Sequence, residues 1–233
     1  MAAEDQSQAE KGIDPRLIVL AVFALVAVGI VAAILIGRSG GGGDSSTTTG
    51  ANGCKEVEEP EPKHVSLKAP KQIVTKGEKL TAVVRTSCGT FEIALATGEA
   101  PKTANSFAYL AEEGFYDGLT FHRIVPEFVI QGGDPLGTGL GGPGYKVVEK
   151  PPANLEYTKG VVAMAKSGAE PPGTSGSQFF VVTSAAAPLQ PEYALVGKVD
   201  KGMDVVERIG KLGTATEKPK QTVVMEKVTI EKG

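Results

Sequence analysis

The sequence predicts a mainly β domain, a closed antiparallel barrel with two helices, carried on a flexible linker behind one membrane-spanning helix. Short β-type runs recur from about residue 80 to the end, separated by Gly-rich turns, and only two stretches there have helical spacing. Thirty Gly, fifteen Pro and no Trp among 233 residues describe a turn-rich chain. Many short strands with few helices suit closure into a barrel, which lets the first and last strands pair and leaves no open edge. Ahead of all this, residues 17–36 form a run of twenty uncharged, mostly apolar residues.

In order, residues 1–16 read as a short polar tail. Residues 17–36 have the length that crosses a bilayer core as a helix, roughly 20 residues. A buried core helix would show a polar stripe, and a cleaved signal peptide usually has a shorter apolar region of about 7–15 residues. The run is therefore read as an uncleaved anchor. Lys11 and Arg16 precede it and Arg38 alone follows closely, so the positive-inside rule leans toward an inside N-terminus and a domain outside. The expected location is the cell membrane, single-pass, with the domain on the extracytoplasmic side. Residues 37–78 read as a flexible linker, Gly/Ser/Thr-rich at first and then acidic and Pro-rich over Glu56–Pro70. Such composition buries too little apolar surface to fold by itself.

The folded domain is expected over residues 79–233. Thr81–Arg85 and Phe91–Leu95 flank Ser87-Cys88-Gly89-Thr90 as a hairpin. Pro101 stands at a first helical position, Ala104, Phe107, Ala108 and Ala111 follow at helical spacing, and Gly114 sits where the cap belongs. Strands are expected at 120–125, 128–131, 161–165, 178–183, 194–199 and 223–230, with a second short helix at 203–209.

Composition excludes several functions. With 24 Lys+Arg against 27 Asp+Glu, the net charge of −3 lacks the basic excess of a nucleic-acid binder. The run Gly137-Thr138-Gly139-Leu140-Gly141-Gly142 fits G-x-G-x-x-G, but Pro143 and Gly144 follow where a phosphate-binding helix should open, so it reads as a surface loop. Only His64 and His122 are present and there is no G-x-S-x-G elbow, which argues against a hydrolase or a multi-histidine metal site. Cys54 and Cys88 are either two free thiols or, in a domain outside the cytoplasm, a disulfide tying the linker to the first hairpin.

The run Phe121-His122-Arg123-Ile124-Val125-Pro126-Glu127-Phe128-Val129-Ile130-Gln131-Gly132-Gly133-Asp134 places a guanidinium and an amide among large apolar side chains. Gln178, Phe179, Phe180 and Leu189 add to both groups. An apolar pocket with a few convergent polar groups is the usual form of a small-ligand or peptide site, although these residues could equally be barrel core. The run resembles the central signature of the cyclophilin family of peptidyl-prolyl cis/trans isomerases. Gly160–Ala165 with Gly176–Phe180, and then Leu195–Val199, resemble its second and third blocks in the same order.

That resemblance covers roughly residues 80–231 and implies an eight-stranded barrel capped by two helices. It implies catalysis by Arg123, Gln131 and Phe128, and substrate binding by Phe121, His122, Val129, Ala165, Lys166, Gln178, Phe180, Leu189 and Tyr193. Ala165 and Lys166 would act through their backbone groups, so that the side chain at 166 matters less. No cofactor or metal is implied. The expected substrates are proline-containing unfolded or exported polypeptides, met by a monomer. Pro188 stands where many cyclophilins carry a Trp at the pocket rim, Val129 where a Met is common, and Tyr193 where a His is frequent. A non-catalytic module holding Pro-containing segments in the same groove is the competing expectation.

Overall fold

The computed structural model describes residue 50 and residues 52–233. The tail at 1–16, the span expected at 17–36 and most of the first half of the linker lie outside the described residues. Among the described residues no helix is long and apolar enough to cross a membrane.

Among the described residues, ten strands and two helices follow in the order β1 (Leu80–Thr86), β2 (Gly89–Leu95), α1 (Pro101–Glu112), β3 (Arg123–Val125), β4 (Val129–Gly132), β5 (Val147–Val148), β6 (Val161–Met164), β7 (Thr174–Ser175), β8 (Phe179–Val182), β9 (Leu195–Lys201), α2 (Met203–Gly210) and β10 (Met225–Lys232). Eight strands form one antiparallel sheet, β10-β1-β2-β9-β6-β8-β4-β3, and β5 pairs separately with β7. This small second sheet was not expected from the sequence, because two-residue strands carry no readable alternation.

The expected closed barrel is corrected to an open, curled half-barrel. Its edge strands β3 and β10 do not pair as a ladder. A single bridge between Thr120 and Val224 joins the segments ahead of them, with Phe121 N donating to Val223 O at 3.0 Å and Met225 N to Leu119 O at 2.8 Å. On its other side β3 meets the loop carrying Glu217, with Ile124 N donating to Glu217 O at 2.7 Å, and not β10.

Strands β6 and β8 are apolar without interruption, and β4 departs from this only at Gln131 and Gly132, because both faces of these strands are covered. Ile130, Val162, Met164, Phe179 and Val181 enter the larger core. The alternate residues Val129, Val161, Ala163, Phe180 and Val182 enter a smaller cluster on the other face, with Tyr157 and Ala187. Helix α1 buries Ala104, Phe107, Ala108, Leu110 and Ala111 in the larger core. It has no local side-chain cap. Instead Glu149 reaches its first turn, accepting from Thr103 N at 2.7 Å and Lys102 N at 3.2 Å, where a carboxylate satisfies free amides and faces the positive end of the helix dipole.

The second half of the linker does not behave as a spacer. Residues 54–74 form a strap laid along the domain, with Cys54 and Val74 buried. A disulfide joins Cys54 to Cys88 in the β1–β2 turn. Lys55 N donates to Ser87 O, Lys63 N to Pro135 O and Leu67 N to Pro143 O, at 2.8, 2.7 and 2.7 Å. Buried Asn105 of α1 accepts from Ile73 N and Val74 N at 2.7 and 2.9 Å and donates to Lys71 O at 3.0 Å. A Pro-rich segment cannot fold alone, but it can be held where a folded surface supplies partners for its backbone.

Asn105→Ala removes an acceptor shared by two amides. It should cost about 2–4 kcal/mol, the range for leaving buried polar groups unpaired. In hydrogen exchange, protection at Ile73 and Val74 should fall before that of the sheet.

Candidate active site

The register of the sheet assembles the site. Arg123 of β3 pairs with Gln131 of β4, Gln131 with Phe180 of β8, and Phe180 with Ala163 of β6. Residues directly opposite in an antiparallel sheet have Cβ atoms about 4.5–5.5 Å apart, so these four form one row across the outer face. The row lies along a pocket of about 140 Å³ lined by Arg123, Phe128, Val129, Gln131, Ala165, Lys166, Phe180, Leu189 and Tyr193.

The polar groups at its rim form a continuous chain. Arg123 Nε donates to Glu217 Oε2 at 2.6 Å and its NH1 to Gln131 Oε1 at 3.1 Å. Gln131 Nε2 donates to Gln178 Oε1 at 3.0 Å, and Gln178 Nε2 to the carbonyls of Gly139 and Gly141, both at 2.9 Å. Arginine has five N–H donors and no acceptor, so its partner fixes the orientation of Gln131 and, through it, that of Gln178. Among the described residues the remaining guanidinium donors have no partner, which leaves them for a ligand. Gln178 therefore borders a second, adjoining groove of about 290 Å³, shared with Gln131, Ala165 and Lys166 and bounded by Leu140 and Gly141.

In the pocket wall, Phe180 meets Tyr193 edge-on with ring centres 5.4 Å apart. Tyr157 locks Tyr193 from the other side: its hydroxyl donates to Tyr193 O at 2.7 Å and accepts from Tyr193 N at 3.0 Å. Burial pushes the Tyr157 hydroxyl up to about 12, which keeps its proton in place for that donated bond. At the end of β4, Gly133 has φ of +82°, and a Cβ there would lie 2.5 Å from Ser177 O. This close approach brings the segment carrying Gln178 against β4.

Two residues expected to bind substrate lie elsewhere. Phe121 is fully buried in the larger core, edge-on to Phe179. His122 faces a different hollow, bordered by Thr120, Lys218 and Thr222. Strict alternation fails just before β3: Phe121 and Ile124 both enter the larger core although they are three residues apart. Lys166 is a further correction. Its side chain is only 5% exposed and pairs with Glu192 at 3.2 Å. It also donates to Glu170 O at 3.2 Å and lies over the Tyr193 ring, so it shapes the pocket wall. Of the Ala165 backbone groups, expected to meet substrate, the N–H already donates to Gln178 O at 2.8 Å. Glu217 was not singled out from the sequence at all, since one Glu in a polar loop carries no motif. Among the described residues no cluster of His, Cys, Asp or Glu is placed to hold a metal.

An outer-face apolar slot with one guanidinium held at its rim defines a site for a neutral, partly apolar ligand. The profile described as "Cyclophilin type peptidyl-prolyl cis-trans isomerase/CLD" matches residues 81–230. The chain is 44% identical over 138 residues to "Peptidyl-prolyl cis-trans isomerase-like 1" of Neurospora crassa, covering 58% of this chain and 83% of that protein. It is 40% identical over 174 residues to "Peptidyl-prolyl cis-trans isomerase B" of Streptomyces anulatus, covering 66% and 98%. A crystal structure of a cyclophilin type peptidyl-prolyl cis-trans isomerase from Cryptosporidium parvum superposes with a TM-score of 0.62 at 30% identity, over 66% of this chain and 99% of the other. The chain belongs to the cyclophilin family of peptidyl-prolyl cis-trans isomerases.

His122 carries a pH signature. Burial holds it below its ordinary 6.5, with Arg123 acting the same way and Asp134 opposing. Among the described residues neither ring nitrogen has a hydrogen-bond partner. The unfolded chain therefore binds this proton more readily than the folded one, so the contribution of His122 to stability is complete above about 6.5 and is lost as pH falls below it. Melting curves between pH 7.5 and 5 should show His122→Gln less sensitive to acid than the wild type.

Proposed function

We propose that this cyclophilin isomerises X-Pro bonds at the Arg123 row and does so from a membrane tether. The observation that carries the site assignment is the alignment of Arg123, Gln131 and Phe180 in one register row beside the pocket. Rotation about a peptide bond is opposed by a barrier of about 18–20 kcal/mol from amide resonance, and for X-Pro the uncatalysed change takes tens to hundreds of seconds. No covalent step is required. A catalyst need only bind the twisted amide better than either planar form.

In this reading Phe128, Val129, Phe180 and Leu189 take the proline ring. As the amide twists, its nitrogen loses conjugation and gains a lone pair, and a free Arg123 N–H donates to it. Gln131 holds the guanidinium and contacts the substrate backbone, while Gln178 borders the groove for the residues on one side of the proline. A second Cryptosporidium parvum structure, solved in the presence of the dipeptide Ala-Pro, has a TM-score of 0.61 at 29% identity. It supports a short Pro-containing peptide as the substrate class.

The membrane reading rests on the apolar run at 17–36 and the charges beside it. It makes the clients exported or cell-surface polypeptides. The disulfide of the strap is in keeping with an oxidising compartment. Protease added to intact cells should then remove the domain; full protection would contradict an outside location.

The chemistry is tested by Arg123→Ala in the full-length protein. Turnover of a short X-Pro peptide should fall about 100-fold, the scale of losing one aimed donor, with the melting temperature little changed. Undiminished turnover would overturn the role of Arg123.

A further inference from the structure

We infer that Glu217 is a positioning residue for the isomerase reaction, acting through Arg123; this rests on the reading of the site given above. The carboxylate accepts from Arg123 Nε at 2.6 Å, on the opposite side of the guanidinium from the 3.1 Å bond to Gln131. Two acceptors on one planar cation fix both its position and its rotation. Without Glu217, the guanidinium is held by Gln131 alone and can swing about its long side chain.

The loop that delivers Glu217 is built for that contact. Glu217 has φ of +64°, and the only other non-glycine with positive φ among the described residues is Glu127, next to Phe128 in the same site. Positive φ is uncommon for residues with a Cβ, and such strain gathers at functional positions. The loop is held in place: Ile124 N donates to Glu217 O at 2.7 Å, Glu217 N to Thr214 O at 3.0 Å, and Lys220 N to Leu212 O at 2.8 Å. Thr214 Oγ1 donates to Lys218 O at 2.8 Å. The bond from Ile124 is the decisive one, because it ties the backbone of Glu217 to the residue after Arg123. The carboxylate and the guanidinium are thus registered to each other by the main chain.

Stability alone does not explain this arrangement. The partners are 37% and 46% exposed, and ion pairs that open to solvent contribute little to folding. A glycine at 217 would relieve the backbone and should fold at least as well. What it would lose is the orientation of the one group aimed at the twisted amide, and small misplacements of such groups are costly in rate.

The experiment compares full-length wild type, Glu217→Gly, Glu217→Gln and Arg123→Ala with an X-Pro peptide, alongside melting temperatures. Glu217→Gly should melt no lower than the wild type yet lose about 10-fold in kcat, with KM within about 2-fold. Glu217→Gln keeps an acceptor oxygen and should recover part of the loss. The Arg123 Nε–H signal in NMR should be resolved in the wild type and lost to solvent exchange in Glu217→Gly. A folded Glu217→Gly with wild-type kcat, or a change confined to KM, would overturn this inference alone. An Arg123→Ala protein as active as the wild type would overturn the reading of the site and this inference with it.

Discussion

A guanidinium beside an apolar slot must be supplied with acceptors, and the rest of the site is arranged around that requirement. Arg123 has Glu217 on one side and Gln131 on the other. Gln131, its oxygen committed to the cation, has only its amide N–H groups to offer Gln178, which in turn holds the glycine loop at 139–141. One charge therefore sets the orientation of two amide side chains and of the loop bordering the neighbouring groove. The apolar half needs no such chain. Phe180 and Val129 are placed by strand register, and Tyr193 by the two bonds it makes with Tyr157.

The sheet makes this possible by being covered on both faces. Strands β4, β6 and β8 send one set of residues into the larger core and the alternate set into the outer cluster. The slot is an opening in that outer cover, between the segment holding Leu189 and Tyr193 and the turn that carries Phe128. A site built on strand register rests on the most rigid part of the fold, which suits a reaction that relies on orientation and has no covalent step. The strap at 54–74 contributes differently, by fixing where the chain enters the domain, through the disulfide and Asn105.

Much of this was legible in the sequence, for identifiable reasons. Helix α1 was bounded by Pro101 and Gly114, whose conformational preferences are local, and it runs Pro101–Glu112. The hairpin turn at Ser87-Cys88 was equally local. Nine of the residues expected at the site line the pocket and Gln178 borders the next groove, because they sit in dense runs with a strong family pattern. What escaped was non-local. Glu149 caps α1 from far along the chain, Glu217 reaches Arg123 across a loop, and the strap finds its partners only on a folded surface. Phe121 and His122 were expected at the site from the family pattern alone, and the structure places them in the larger core and beside a different hollow. The Lys166 side chain was undervalued because the family pattern implied a backbone role there, whereas its ammonium is tucked against Glu192 and Tyr193.

The central claim is that a guanidinium of fixed orientation, and not merely a positive charge, drives rotation in the slot. Its most direct test is exchange NMR of an Ala-Pro peptide, measuring cis–trans interconversion in the presence of the wild-type protein and of Arg123→Lys. Lysine keeps the charge but is a point cation without the planar fork that Glu217 and Gln131 can hold. The peptide should bind both proteins and interconvert rapidly only on the wild type. Equal exchange on both would contradict the claim, leaving charge and the apolar slot as sufficient.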